Sequence, residues 1–167
     1  MTSVRVFRSV RLRQIAAVCA LGLATSGCFE LLNPKVSTRA YAIRVAPEAN
    51  LDSPVPLELV LVYDRKMLAE VEQLSARDWF QRRAQFERDY PNGFRSMRWE
   101  FVPGQSLALH PLELSRKGAR GALVFADYLT DGDHRLRLDP YKQVIIELRD
   151  QDVVVRSPQQ EAPQGGQ

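Results

Sequence analysis

Apolar and polar positions alternate along most of this 167-residue chain, and the period of that alternation changes twice. Val36 to Val45 sets Tyr41, Ile43 and Val45 against Ala42 and Arg44, the signature of a first strand. Ala46 to Pro54 is a loop rich in turn formers and stiffened by Pro47 and Pro54. From Val55 to Tyr63 every odd position is apolar, and from Leu59 the even ones are too. That suits a central strand covered on both faces, with Pro56 confined to its first residues.

Over residues 65–90 the period becomes helical: Met67, Leu68, Val71 and Leu74 recur at helix spacing. Ser75 followed by Asp78 three residues later predicts an N-cap that restarts the helix. Trp79, Phe80, Ala84 and Phe86 would form its apolar stripe, Arg82, Arg83, Glu87 and Arg88 its wet side, and Pro91-Asn92-Gly93 its stop. Strands then resume at Met97–Val102, Leu107–Leu114, Ala122–Tyr128, Val144–Leu148 and Val153–Arg156, joined by the Pro103-Gly104 turn, a basic loop at Ser115–Gly121 and polar connections. Ser157 to Gln167 has the composition of a disordered tail. The sum is an all-β domain over 36–156: an antiparallel sandwich of about seven or eight strands, with one helical insertion between the second and third.

The pattern ahead of Val36 is of another kind. Arg5, Arg8, Arg11 and Arg13 precede an apolar run from Ile15 to Ala24, too short for the ~20 residues of a membrane-spanning helix but the size of a signal-peptide core. Thr25, Ser26 and Gly27 lead into Cys28, so residues 1–27 read as a lipoprotein signal peptide cut between Gly27 and Cys28. Thr25 stands where a lipobox usually has leucine. Ordinary cleavage and retention as an uncleaved anchor are the alternatives; ordinary cleavage would leave a free thiol in an oxidising compartment. The N-terminal lipid on Cys28 is the only added group expected. Residues 28–35 then act as a lipidated tether, spanning at most roughly 25 Å when extended. Phe29 after the cysteine, where aspartate favours inner-membrane retention, points to the outer membrane.

This processing changes the charge argument. The whole chain has 23 Lys and Arg against 20 Asp and Glu, a net of +3. Four arginines leave with the signal, so the mature chain carries nineteen cations against twenty carboxylates, a net of −1. The basic character belongs to the targeting segment and gives no reason to expect a nucleic-acid partner. Cys19 leaves as well, so no internal disulfide is expected.

Candidate chemistry is sparse. His110 and His134 are the only histidines, too few for a zinc set without several carboxylates beside them. Asp131-Gly132-Asp133-His134 lacks the spacing and closing glutamate of a calcium loop and reads as a turn. No glycine-rich phosphate loop and no nucleophile elbow is present. The expectation is therefore a protein without catalytic residues, metal or small-molecule substrate.

The order of features from Cys28 to about Arg156 resembles the outer-membrane lipoproteins of type VI secretion, the TssJ (SciN) family. The likeness rests on the lipidated N-terminus, Ser53-Pro54-Val55-Pro56 leading into a strand that ends Leu61-Val62-Tyr63, an insertion carrying Met67, Leu74, Trp79 and Phe80, the Val102-Pro103-Gly104 turn, and a strand ending Val124-Phe125-Ala126-Asp127. It implies a transthyretin-like sandwich without enzymatic activity, facing the periplasm from the outer membrane and gripping the periplasmic part of the inner-membrane protein TssM. The family's contact loop joins the first two strands, which here is Ala46 to Pro54, with Glu48, Asn50, Leu51 and Asp52 as the side chains to present. An apolar Leu51 beside acidic Glu48 and Asp52 suits a basic partner with an apolar contact. Two departures stand out: no glycine precedes Ser53-Pro54, and the insertion over Ser75–Arg95 is long and arginine-rich. The alternative is a lipoprotein binding module of another envelope complex, pilotin-like or an assembly accessory.

Overall fold

The computed structural model describes residues 35–115 and 118–158. The predicted signal peptide, Gly27, Cys28, most of the tether, Arg116 and Lys117 of the basic loop, and the tail beyond Pro158 lie outside the described residues. The elements are β1 (Ala40–Val45), β2 (Val55–Val62), α1 (Arg65–Val71), α2 (Ala76–Asp89), β3 (Phe94–Phe101), β4 (Ser106–Pro111), β5 (Gly121–Ala126), β6 (Arg135–Arg137), β7 (Gln143–Leu148) and β8 (Val153–Arg156). They form two four-stranded sheets, ordered β4-β1-β7-β8 and β3-β2-β5-β6. The insertion between β2 and β3 falls where the change of period places it.

The inner faces of the two sheets make the main core. Ile43 and Ile146 from one sheet meet Leu57, Leu59, Leu61 and Val124 from the other, all at most 1% exposed. Two apolar residues of β2, Val60 and Val62, face outward, where with Leu123 and Phe125 they are covered by Met67, Val71, Trp79 and Phe86 of the helices. This is why β2 carries no polar alternation beyond Glu58: a sheet with a helical layer on one side and a second sheet on the other has no wet face. Gly121 marks the contact between layers, since a Cβ there would stand 2.5 Å from Leu68 Cδ1.

Local chemistry sets the helix ends. The Asp64 carboxylate accepts from the backbone N–H groups of Lys66 and Met67 and starts α1. Ser75 and Asp78 form a reciprocal capping box at α2, as their spacing predicts. The stripe of α2 is narrower than predicted: Trp79 and Phe86 are buried, Phe80 is partly buried and Ala84 is exposed.

Arg83, expected on the wet side, turns inward instead. Its Nε donates to Glu58 Oε1 at 2.8 Å, Trp79 Nε1 donates to Glu58 Oε2 at 2.9 Å, and Arg83 Nη2 pairs with Glu87 at 2.7 Å. Glu58 is fully buried in mid-sheet, so both carboxylate oxygens need donors, and α2 supplies them.

Three expectations change. β1 pairs in parallel with β7, in register from Ala40↔Gln143 to Val45↔Leu148, so the sandwich is not purely antiparallel. Such a pairing joins strands almost a hundred residues apart, and local periodicity carries no trace of it. The polar connection after Tyr128 contains the short strand β6, whose Arg135 and Arg137 mask it as loop. Ser157, assigned to the tail, is buried against the domain.

Candidate functional site

The loop from Ala46 to Pro54 is held at its root by Ala46 N–H donating to Leu148 O at 2.8 Å and Gly104 N–H donating to Ala46 O at 3.2 Å. Its tip is one helical turn, Ala49–Asp52, in which Asn50, Leu51 and Asp52 have φ of 52°, 56° and 60°. Three consecutive non-glycine residues in the left-handed region are costly, and for leucine, which has no side-chain compensation, the cost is on the order of 1–2 kcal/mol. Something must hold the turn.

Asn50 holds it. Its side chain is 1% exposed; Nδ2 donates to Pro54 O at 2.7 Å and Oδ1 accepts from Leu129 N–H at 2.7 Å, while its backbone N–H donates to Arg149 O at 3.3 Å. One residue thereby locks its own loop to the β5–β6 loop and the β7–β8 turn. Asn50, expected among the presented side chains, is therefore not one of them: its polar atoms are consumed inside. Glu48, Leu51 and Asp52 do face solvent, and Leu51 is 52% exposed.

Two further exposed apolar side chains belong to loops bonded to this one. Leu129, 62% exposed, follows the segment that Asn50 anchors, and Val102, 45% exposed, opens the β3–β4 turn whose Gly104 bonds Ala46. Gly104 has a φ of 79°, which explains the glycine at that turn. Single exposed leucines are ordinary, but three on loops tied together at one end of the sandwich make an apolar tip. Sequence gives Val102 only as the start of the Pro103-Gly104 turn, and assigns neither it nor Leu129 a contact role. The signal available was a large apolar residue opening an otherwise polar loop. Acidic groups surround the tip: Glu48, Asp52, Asp131 and Asp152 are exposed.

Tyr128 and His134 brace this end from beneath. The rings stack with centroids 4.7 Å apart, and the Tyr128 hydroxyl lies 3.0 Å from Arg149 O and 2.9 Å from Asp152 O. Burial pushes the Tyr128 phenol well above its usual range, so it remains a donor to the β7–β8 turn. His134 Nε2 lies 3.1 Å from Thr130 O, while Nδ1 stands 3.5 Å from the Asp152 carboxylate and makes no hydrogen bond. The Asp131–His134 segment is thus a turn closed by an inward histidine. His110 sits exposed on β4, paired with Tyr41 of the neighbouring β1 with the two rings 6.4 Å apart, in the sheet that does not contain β5 and β6. Among the described residues no three His, Cys, Asp or Glu side chains converge as metal ligands, and no helix is long and apolar enough to cross a membrane.

The sequence matches no protein-family model and no curated protein. Solved structures do share the fold. The T6SS lipoprotein TssJ1 from Pseudomonas aeruginosa superimposes with a TM-score of 0.56 at 19% identity, covering 78% of this chain and all of that one. Serratia marcescens Lip, a membrane-bound component of the type VI secretion system, superimposes with a TM-score of 0.53 at 13% identity, covering 72% of this chain and 98% of that one. The domain is a TssJ-like β-sandwich.

Proposed function

We propose that this chain is an outer-membrane lipoprotein of a type VI secretion system, acylated on Cys28 and binding the periplasmic part of TssM through the loop end described above. It acts by attachment, without catalysis. The observation that carries the reading is the strained, exposed Leu51 turn locked by buried Asn50, on a sandwich shaped like TssJ1 and Lip. Strain kept at a surface tip is characteristic of binding segments, because the conformation is set before the partner arrives and little ordering cost is left to meet. The surrounding carboxylates steer a basic partner surface, and Leu51, Leu129 and Val102 supply the desolvated contact. Three acyl chains on Cys28 would hold the protein at the bilayer essentially permanently, at about 0.8 kcal/mol per buried methylene.

The test has two arms. In the host, Cys28→Ser is expected to move the protein to the soluble periplasmic fraction and to abolish secretion; membrane fractionation like that of wild type removes the anchor. In purified pull-downs with the periplasmic part of the cognate TssM, Leu51→Asp with Leu129→Asp is expected to weaken binding at least tenfold with an unchanged melting temperature. Wild-type affinity in that variant removes the loop end from the interface.

A further inference from the structure

The end of the sandwich opposite the Leu51 tip has the opposite charge. Here the chain passes from the tether into β1, and hydrogen bonds gather four segments. Val36 N–H donates to Ala119 O at 3.0 Å, Arg39 N–H to Lys142 O at 2.7 Å, Leu112 N–H to Arg39 O at 2.8 Å and Arg120 N–H to Val62 O at 2.7 Å. Ser37 Oγ donates to Pro140 O. The segments carry Lys35, Arg39, Arg120 and Lys142, all exposed. Lys35 lies against Gly118. Arg39 folds its guanidinium onto the carbonyls of Val36 and Thr38, and Arg120 donates to Tyr63 O, so among the described residues both charges rest on carbonyls. Tyr141, 39% exposed, stands next to Lys142. Of the acids at this end, Asp139 is bonded to Arg137 at 2.8 Å and Asp64 caps α1, while Glu113 faces solvent among the four cations.

We infer that this cationic end, centred on Lys35, Arg39, Arg120, Lys142 and Tyr141, rests on the anionic phospholipid surface of the membrane to which Cys28 is tied. The inference depends on the anchoring proposed above and adds an orientation to it. Lys35 is seven residues from Cys28, so the tether joins the domain at this end and brings it within roughly 25 Å of the headgroups. Each Lys or Arg near an anionic surface strengthens attachment roughly fivefold, equivalent to about 1 kcal/mol, within a Debye length of the surface. A phenol ring beside the cations suits the boundary between headgroups and water. Rolling the domain over would bring Glu48, Asp52, Asp131 and Asp152 against like charge. The lipid surface thus keeps the apolar tip pointing away from the bilayer.

The probe is the processed chain carrying Cys28→Ser, co-sedimented with phosphatidylcholine vesicles with and without phosphatidylglycerol. Expected are binding to the anionic vesicles alone, its loss in high salt, and at least a tenfold weakening in Lys35→Glu/Lys142→Glu. The same substitutions should leave the melting temperature unchanged, and Glu48→Lys/Asp52→Lys at the far end should not weaken vesicle binding. Equal binding to neutral vesicles, no vesicle binding, or wild-type binding by the Lys35→Glu/Lys142→Glu variant overturns the inference. The anchor is read separately, by mass spectrometry of the protein from native membranes. Acylated Cys28 without vesicle preference overturns only the orientation, and a bare thiol overturns the anchor and the orientation with it.

Discussion

At the scale of single residues, Asn50 and Leu51 divide the work of the tip between them. Asn50 tolerates left-handed backbone because its short amide can hydrogen-bond locally, and it places both ends of that amide on backbone partners. Leu51 gains nothing of the kind from the conformation it is forced into. Two predictions separate strain from support. Leu51→Gly removes a Cβ that disfavours φ of 56°, so thermal unfolding should show stability unchanged or raised by up to about 1 kcal/mol, while affinity for the partner falls. Asn50→Ala leaves the Leu129 N–H and Pro54 carbonyl without their partner and should lower stability by about 1–3 kcal/mol, with rapid amide exchange at Leu129. A melt unchanged by Asn50→Ala would deny it the locking role. That Leu51 faces solvent was legible in the sequence. That its neighbour Asn50 does not was illegible, because the deciding bond comes from a residue 79 positions away.

Among the elements, legibility follows the range of the interaction. The capping box, the stop at Pro91–Gly93 and the double-sided β2 depend on residues close in sequence or on burial pattern alone, and each lies where periodicity predicts. Glu58 is one polar position within an otherwise apolar strand. Its meaning comes only from α2, whose Trp79 ring stacks on Phe125 at 5.0 Å while its Nε1 reaches the carboxylate. This triad fixes the insertion to the sheet. Glu58→Ala should therefore destabilise strongly, by about 3 kcal/mol or more, since Arg83 and the Trp79 N–H lose a buried acceptor. Glu58→Gln keeps an acceptor and should cost less. Urea denaturation followed by tryptophan fluorescence compares the two, and equal midpoints for Glu58→Ala and wild type would show that the triad adds nothing to stability.

Over the whole molecule the two ends of the sandwich are chemically distinct, cationic where the tether joins and acidic with an apolar tip at the other. Composition hides this, since a mature net charge of −1 averages the two ends away. β1 alone joins the tether to the Leu51 loop, and it lies between β4 and β7, bonded on both sides. In the proposed role, a pull between membrane and partner runs lengthwise down this one strand. β1 is already extended, so its covalent backbone carries the tension from end to end and neither flanking ladder has to slip or part. Stretching the chain between Lys35 and Leu51 in an optical trap should therefore leave the sheet intact at forces that peel β8 from its edge.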